Sequence, residues 1–548
     1  MQITCGEKTM TMSTGTTAMR CLLSLCGEIP GLLAAQCGGE VIELTQRVEE
    51  DCTLIPLTLR DEEGRRIYER SLRFVMLLAL RRLYPGQQMR IEYSVGYGVF
   101  VRLPGLEMDE EQLALLDREM RAIIAEDMPF LRQEWIVRDA RAYFEADGQK
   151  DKVALLNNRP LRTIAMYGCG GMWEYFYGSM APSTGYVDVF DLTLHQPGFI
   201  LRLPTGENPD QPAPHVHRPK HLAVFEQSAQ WCRILGVVNA PDVTRLVKEK
   251  KLRSFIRVNE ALHDKAIADI ADVIVRNGRR IVLVAGPSSS GKTTFTGRLA
   301  VHLQALGLRP VVISLDNYYR NRDELPREPD GSIDLEALDT IDTVLFQEQM
   351  AALMRGETVE VPRFDFVTSR RRDRGVPAHL ESDQPVLVEG IHGLNPALSD
   401  HLPRELIHRI FVSALTCINL DDHNRIRTTD VRLLRRIVRD RQFRGTPAEE
   451  TLAMWPSVRR GEETWIFPHQ ERADSMFNTA LHYELPVLRH FAYGVLSEIS
   501  PDSPQYLAAR RLKKVLNYFP EISAEALDEI PPLSLEREFI GGCTIDKE

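Results

Sequence analysis

The chain has 548 residues, of which 43% are hydrophobic and 26% are charged, and its formal net charge is −10. These values are ordinary for a soluble globular protein too long for one core, so we expect three or four domains, and the acidic balance argues against nonspecific nucleic-acid binding by the whole surface. No run approaches the roughly 20 apolar residues of a membrane span, and no signal peptide is recognisable. Nine cysteines without a CxxC pair predict reduced thiols. Together these features indicate a cytoplasmic protein with no membrane partner.

The N-terminal part of the chain contains several short motifs. Residues 1–60 include Gly15-Thr16-Thr17, Leu32-Leu-Ala-Ala-Gln and the alternating Val41-Ile-Glu-Leu. In these three segments the chain resembles the TGS β-grasp domain of threonyl-tRNA synthetases. The run from Tyr68 to Pro85, followed by Asp109-Glu-Glu-Gln-Leu and Glu119-Met120, is similar to their second, editing-type domain up to about residue 160. The resemblance implies a β-grasp domain over residues 1–60 and an α+β, editing-like domain over residues 61–230.

The editing-like domain lacks the residues that its relatives use for hydrolysis. The resemblance implies a site with two histidines four apart on the first helix. When the chain is aligned on Leu83-Tyr84-Pro85, these positions hold Arg70 and Phe74, which cannot bind a metal as imidazoles do. We therefore expect no editing hydrolysis, because the metal ligands are absent.

A histidine-rich run follows in a proline-rich stretch, with the sequence His215-Val-His217-Arg-Pro-Lys-His221. Histidines at this spacing can form a metal site, but no cysteine or carboxylate stands close by at a matching spacing. The composition favours a solvent loop over a metal site. A helix at residues 260–275 then leads out of the connecting segment, which we place at residues 231–278.

A phosphate-binding loop is the most specific motif of the sequence. The apolar run from Ile281 to Ala285 predicts a strand, and Gly286-x4-Gly291-Lys292-Thr293 follows it at the start of a predicted helix. In such a P-loop the backbone N–H groups surround phosphate oxygens, the lysine adds a charge, and the Thr293 hydroxyl can hold Mg2+. The predicted nucleotide-binding residues are Gly286, Ser288, Ser289, Ser290, Gly291, Lys292, Thr293 and Thr294. The alternative is a merely flexible Ser/Gly turn.

Two acidic residues follow predicted strands further along the chain. Asp316 ends the strand that begins at Pro310 and stands next to Asn317-Tyr-Tyr319, an arrangement that suits a base facing an organic substrate. Glu389 ends the strand that begins at Pro385, where P-loop enzymes keep a carboxylate for Mg2+. Open α/β sheets bind ligands at the carboxyl ends of their strands, so we expect both acids near the P-loop. Each of them, taken singly, could instead be a turn or cap residue.

An arginine-rich segment lies between Asn424 and Gly445, with eight arginines against an acidic background. Leu433, Leu434, Ile437 and Val438 recur at helical spacing, which predicts an amphipathic helix with one buried stripe and one arginine-rich face. Arg436 and Arg439 stand three apart and can reach a common anion. A solvated charged face is the alternative.

Several blocks together resemble the uridine kinase and phosphoribulokinase family of P-loop kinases from about residue 279 to about residue 500. The blocks are Ser314-Leu-Asp316-Asn-Tyr-Tyr319, Pro362-Arg-Phe364-Asp365-Phe366, Val388-Glu389-Gly390-Ile391, Arg435-Arg436-Ile-Val-Arg439-Asp440 and Arg444-Gly445. They occur in the order and spacing of that family. The resemblance implies an α/β P-loop kinase fold with a parallel sheet, which uses ATP as phosphate donor together with Mg2+.

The same resemblance implies roles for single residues. Asp316 accepts the proton of a substrate hydroxyl, Lys292 and Arg439 act on the transferred phosphoryl group, and Thr293, Glu389 and Asp316 hold Mg2+. The implied substrate-binding residues are Asp316, Tyr319, Phe364, Phe366, Arg436, Arg439 and Arg444. The chain departs from the family after Phe366, where uridine-cytidine kinases have a histidine that contacts the base. This chain has Val367-Thr-Ser followed by Arg370, Arg371 and Arg372, so the acceptor is less defined than the donor.

The predicted organisation is completed by a kinase domain at residues 279–505 and a C-terminal segment at residues 506–548, which we expect to dock on the body. We expect ATP- and Mg2+-dependent phosphorylation of a nucleoside 5'-hydroxyl, with uridine or cytidine as the first candidates. One alternative is a P-loop kinase or phosphohydrolase that acts on a different small alcohol or on water. Another is a nucleotide-dependent regulator whose N-terminal half contacts RNA. The sequence leaves the oligomeric state open, a homo-oligomer included.

Overall fold

The computed structural model describes residues 1–158, 161–327, 331, 333–365 and 368–545. The first 60 residues form a β-grasp unit in which helix α1 packs on a five-stranded sheet of order β2-β1-β7-β4-β5. Strands β1 and β7 are parallel, and the other neighbours are antiparallel. The elements are β1 (Gln2–Cys5), β2 (Lys8–Thr11), β3 (Thr16–Thr17), α1 (Ala18–Cys26), β4 (Ala34–Cys37), β5 (Glu40–Glu43), β6 (Arg47–Val48) and β7 (Cys52–Leu57).

The following α+β region is built around one long buried helix, α2 (Glu62–Leu83). Two antiparallel sheets surround it, with strand orders β13-β14-β9-β8 and β10-β11-β12. The remaining elements are β8 (Arg90–Val95), β9 (Gly98–Arg102), α3 (Glu110–Ala125), β10 (Leu131–Ile136), α4 (Val137–Ala146), α5 (Lys150–Asn157), β11 (Thr163–Cys169), β12 (Met172–Glu174), β13 (Asp191–His195) and β14 (Gly198–Arg202).

Three helices connect this region to the next: α6 (Pro219–Leu235), α7 (Ala240–Lys248) and α8 (Leu252–Arg276). Residue 230, where we placed a boundary, lies inside α6, which continues until Gly236 adopts a left-handed conformation with φ 63°. His215 and His217 are exposed in an irregular segment before α6, as expected for a solvent loop, whereas His221 lies in the first turn of that helix.

The kinase-like region has a five-stranded parallel sheet of order β16-β21-β15-β22-β23, which confirms the predicted α/β class. Its central strands β15 and β22 are buried along their whole length because helices cover both faces. Its elements are β15 (Ile281–Ala285), α9 (Lys292–Ala305), β16 (Val311–Ser314), α10 (Thr343–Met354), β17 (Val359–Val361), β18 (Phe364–Asp365), β19 (Arg370–Arg371), β20 (Val376–Ala378), β21 (Val386–Glu389), α11 (Pro396–Ser399), β22 (Ile407–Ser413), α12 (Thr428–Phe443), α13 (Ala448–Gly461) and β23 (Ser475–Asn478).

The C-terminal elements pack on the body, and the predicted docking of this segment is observed. They are α14 (Glu484–Ser497), α15 (Tyr506–Leu516), α16 (Ala524–Asp528) and α17 (Arg537–Ile540). Leu535 and Phe539 are fully buried beside α12. In the described part of the chain, none of the helices combines the length and apolar character that crossing a bilayer needs.

Helix α12 differs from its predicted amphipathic form because its arginine side is also covered by protein. Arg432 and Arg435 are almost completely buried, with side-chain exposures of 2% and 0%. Arg435 contacts Glu484 of α14 at 2.6 Å, and Arg432 Nη1 donates to Glu462 at 3.1 Å. Each buried guanidinium is thus compensated by a carboxylate from a segment far along the chain, which helical periodicity alone does not reveal.

The two halves of the protein share one core. A single hydrophobic cluster joins Tyr93 and Phe100 of the synthetase-like sheet to Val282 and Val412 of the kinase sheet. Phe225 of α6 stacks on Tyr93, with ring centroids 4.4 Å apart. Since the cluster continues across both sheets, the connecting helices act as a packed layer between them.

Buried ion pairs cross the same junction. The Lys152 ammonium lies 3.1 Å from Glu174 Oε1 and 3.1 Å from Asp421 Oδ1, and all three side chains are at most 1% exposed. Arg66 of α2 forms two hydrogen bonds with Asp430 of α12, at 2.9 and 3.2 Å. Arg511 of α15 contacts the same carboxylate. Asp430 in the first turn of α12 is therefore held by both the synthetase-like region and the C-terminal segment.

Candidate active site

The P-loop connects the central strand β15 to helix α9, as predicted. Gly286 approaches the neighbouring strand so closely that a Cβ atom there would lie 2.1 Å from the Val412 carbonyl oxygen, so no other residue fits without a shift. The hydroxyls of Ser289 and Ser290 are buried and have no hydrogen-bond partner among the described residues. Together with the N-terminus of α9, these unsatisfied donors fit an anion with several oxygen atoms.

Lys292 faces a group of acids beside the loop. Burial lowers the pKa of its ammonium, and four carboxylates oppose that effect, namely Glu389, Asp316, Glu538 and Glu336. The Nζ atom donates to the Pro287 carbonyl oxygen at 3.3 Å. Thr293 is exposed at the start of α9, so its hydroxyl is accessible from solvent.

Asp316 and Glu389 follow the two strands next to β15 on one side, so the P-loop and both acids stand at adjacent strand ends, as predicted. Burial raises the pKa of Asp316, while Lys292, Arg444 and Arg439 act in the opposite direction. Burial, followed by repulsion from Asp316, raises the pKa of Glu389 to about 7. Ser314 donates to Glu389 Oε1 at 2.7 Å and fixes its side chain. Two carboxylates and a lysine thus share one small space.

An aromatic pair stands next to Asp316. The rings of Tyr319 and Phe364 are tilted against each other, with centroids 5.6 Å apart. The Asn317 side chain accepts the Phe364 N–H at 3.3 Å and joins the two segments. Phe366, the third aromatic residue that we predicted here, lies outside the described residues. The structure therefore brings two of the three predicted aromatic side chains together beside Asp316.

One buried carboxylate organises the three predicted lid arginines. Asp440 is 1% exposed and lies 3.3 Å from Arg436, 2.9 Å from Arg439 and 3.4 Å from Arg444. Arg436 also donates to the Ser288 hydroxyl of the P-loop at 2.9 Å. Asp440, which follows Arg439 in the sequence and which we had not singled out, thus holds the three arginines together, and Arg436 among them bonds to the loop.

The three arginines that follow Phe366 have partners within the protein. Arg371 donates to the carbonyl oxygens of Tyr318 and Tyr319 and pairs with Asp342 at 3.1 Å. Its neighbours on both sides also have acidic partners, at 3.4 and 3.5 Å. These guanidinium groups support the loop that carries Asp316.

The two halves of the chain are similar to different classes of known proteins. Residues 281–484 match the sequence profile of the Phosphoribulokinase / Uridine kinase family. This segment is a P-loop kinase domain of that family. The domain also has a distant likeness to a solved structure described as a possible uridine kinase from Bacillus stearothermophilus, with 18% sequence identity, 39% of this chain and 98% of that chain covered, and a TM-score of 0.27.

The N-terminal half is similar to a different class of protein. It is 33% identical over 165 residues to a threonine–tRNA ligase of Symbiobacterium thermophilum, and 30% identical over 179 residues to that of Desulforamulus reducens. These matches cover 29% and 31% of this chain, and 25% and 27% of the two ligases. The chain thus spans about a quarter of the length of the curated relatives that it matches, ahead of the kinase domain.

Three acids of the kinase domain site were missed by sequence reasoning. Glu462 lies in a π-helical turn and accepts the Ser288 N–H at 3.1 Å. Burial raises the pKa of Glu336, which faces Arg436 and Lys292. Glu538 of α17 accepts hydrogen bonds from the Thr294 hydroxyl at 2.8 Å and from its N–H at 3.2 Å. A carboxylate from the C-terminal segment thus lies at the helix N-terminus that a P-loop offers to phosphate.

Proposed function

We propose that this chain transfers the γ-phosphoryl group of ATP to the 5'-hydroxyl of a nucleoside, with uridine and cytidine as the first acceptors to test. The convergence of Lys292, Asp316 and Glu389 at three adjacent strand ends carries the proposal. The Tyr319–Phe364 pair beside Asp316 supports an acceptor with a flat ring, because bases stack on aromatic side chains.

The residues of the site supply positioning and charge rather than covalent chemistry. Asp316 orients the acceptor hydroxyl and takes its proton, and Lys292 binds phosphate oxygens. Arg436, Arg439 and Arg444 bring positive charge over the transferred group. Thr293, Asp316 and Glu389 offer the hard oxygen ligands that Mg2+ prefers, and when bound the ion would neutralise phosphate charge.

The acceptor is the part of this proposal that needs a direct test. We expect purified protein to release ADP and form a phosphorylated product with a pyrimidine nucleoside. A panel of nucleosides and small alcohols, with products separated by chromatography, distinguishes this from the alternatives. Product formed only from a non-nucleoside alcohol would move the function to another kinase, and inorganic phosphate as the only product would indicate a phosphohydrolase.

Glu389 gives the reaction an expected pH dependence. Its raised pKa of about 7 means that the carboxyl takes up a proton as the pH falls through this value. Because Mg2+ binds the carboxylate form, we expect the apparent Mg2+ affinity to fall about tenfold per pH unit below about pH 7 and to level off above it. Mg2+ titrations between about pH 6 and pH 8 measure this. A flat profile in the native chain, or the same slope in Glu389→Gln, would contradict the assignment.

Glu538 is expected to weaken nucleotide binding. Its carboxylate bonds to Thr294 at the N-terminus of α9, so a bound phosphate chain would meet a negative charge there. Glu538→Gln removes the charge and keeps the shape, and we expect the Kd for ATP to decrease about tenfold. Isothermal titration against the native chain checks this, with the exposed Glu525→Gln of α16 as a matched control. Weaker binding in Glu538→Gln would mean that Glu538 supports the nucleotide instead.

A further inference from the structure

A second cavity lies in the synthetase-like half, away from the P-loop. It has a volume of about 470 Å3, which is within the range of small-molecule sites. Its walls come from the β-grasp strand β5, from helix α2, from strands β10 and β11, and from helix α15 of the C-terminal segment. The cavity is thus formed jointly by three parts of the chain: the β-grasp unit, the synthetase-like α+β region and the C-terminal segment.

Arg70 of α2 lines this cavity. Its guanidinium lies in a slot over Gly178, where an added Cβ atom would stand 2.4 Å from Arg70 Cζ. Arg70 Nη1 donates to the Ser179 carbonyl oxygen, and Cζ lies 5.9 Å from the centre of the Tyr177 ring. The absence of a side chain at residue 178 therefore lets the guanidinium lie against the backbone.

Arg70 differs from the other cations of the cavity in its partners. Arg132, Arg510 and Arg511 have carboxylates at 2.7, 2.6 and 3.0 Å, namely Glu134, Glu40 and Glu63. Among the described residues, no carboxylate lies within 4 Å of the Arg70 guanidinium. Burial lowers the pKa of Arg70, while Tyr177 and Glu63 act in the opposite direction.

Among the described residues, the acids that line the cavity form no ion pair with Arg70. Glu43 accepts hydrogen bonds from the Tyr167 hydroxyl and from the Met180 N–H, and burial raises its pKa. Lys514 contacts the Tyr177 carbonyl oxygen and lies 5.5 Å from the ring centre, so a second cation stands beside the same tyrosine. A guanidinium with free donors at the edge of a polar cavity matches the two oxygen atoms of a carboxylate or phosphate group.

We propose that this cavity is a binding site for a small organic anion, in which Arg70 binds a carboxylate or phosphate group and Tyr177 contacts the body of the ligand. The site is separate from the kinase site and uses none of its residues.

Calorimetric titration of the full chain tests this proposal. The probes are inorganic phosphate for a phosphorylated ligand and malonate for a carboxylate ligand. The titrations use the Lys292→Gln chain, because this substitution removes phosphate binding at the P-loop. In this Lys292→Gln chain we expect saturable binding of at least one probe, weakened about tenfold or more by Arg70→Gln. Arg82→Gln is the matched control, because Arg82 lies on the same helix and pairs with Glu119 and Glu126 at the surface. Arg70→Lys keeps the charge but loses the fork of donors, so we expect intermediate binding.

Each outcome of these titrations leads to a different conclusion about the ligand. Binding of malonate alone assigns a carboxylate ligand, and binding of phosphate alone assigns a phosphorylated one. Equal binding in Arg70→Gln and Arg82→Gln, or no saturable binding of either probe, overturns the proposal. So does a site that binds only an RNA oligonucleotide. Loss of kinase activity in Lys292→Gln leaves this result unaffected, since the readout is binding.

Discussion

Asp316→Asn is expected to reduce phosphoryl transfer by about 10^3-fold while ATP binding stays nearly unchanged. The carboxylate stands beside the Tyr319–Phe364 pair and close to Lys292, where it can take a proton from an acceptor hydroxyl. Asparagine preserves the shape and removes the base. Single-turnover measurements with saturating ATP and acceptor give the rate, and titration with a non-hydrolysable ATP analogue gives the affinity.

Asp323→Asn is the matched control, because Asp323 lies in the same loop but is exposed and pairs only with Arg370 at 3.4 Å among its ionic contacts that the structure describes. We expect this variant to transfer phosphate at the native rate. An Asp316→Asn protein that remained fully active would exclude Asp316 as the base. Loss of both rate and ATP binding would assign it to the nucleotide site instead.

Lys152→Met is expected to destabilise the whole protein by about 3–5 kcal/mol, because it leaves two buried carboxylates without their cation. Burial alone would raise the pKa of Glu174, but Lys152 and His423 hold it at about 2. Glu174 therefore stabilises the fold above its ordinary pKa of 4.5, and this contribution is lost as the pH falls toward 2. Without Lys152 the carboxyl should protonate at a higher pH, so the difference from the native chain should shrink in acid.

Chemical unfolding followed by fluorescence measures the effect. Lys150→Met, an exposed lysine in the same helix, is the control and should change stability by less than about 0.5 kcal/mol. The double variant Lys152→Met/Glu174→Gln removes one of the two stranded charges and should recover part of the loss. Equal unfolding of Lys152→Met and Lys150→Met would show that the buried pair contributes nothing.

The parts of the site that sequence reasoning found are those set by local pattern. The P-loop motif fixes a strand, a turn and a helix within a few residues, so Lys292 and Thr293 could be located directly. Asp316 and Glu389 followed because apolar runs mark buried parallel strands, and such strands end at one edge. The predicted α/β kinase fold and the synthetase-like N-terminal half were confirmed for the same reason, because motifs in both halves kept the order of their families.

The residues that were missed depend on contacts far apart in the chain. Glu538 reaches Thr294 across 244 positions, and no local pattern connects the two. Arg432 has an ordinary helical position, and the structure shows that Glu462 of the π-helical turn compensates its buried charge. Asp440 stands in the arginine-rich segment of the sequence, but its role became clear only from the structure, in which three arginines pair with its carboxylate. Arg371 follows the aromatic block in the sequence, and only the structure shows that it bonds to the backbone beside Asp316.

Helix α12 has a practical consequence for anyone who wants to work with the kinase domain by itself. Arg432 and Arg436 of this helix bond to Ser288 of the P-loop, while Asp430 in its first turn is bonded to Arg66 and Arg511. A fragment that starts after residue 278 would leave this buried aspartate without Arg66. It would also lack Lys152, the buried ion-pair partner of Asp421. Cutting the chain where sequence similarity changes from ligase to kinase would therefore break these buried ion pairs. Dissection of the protein should proceed by point substitution rather than by truncation.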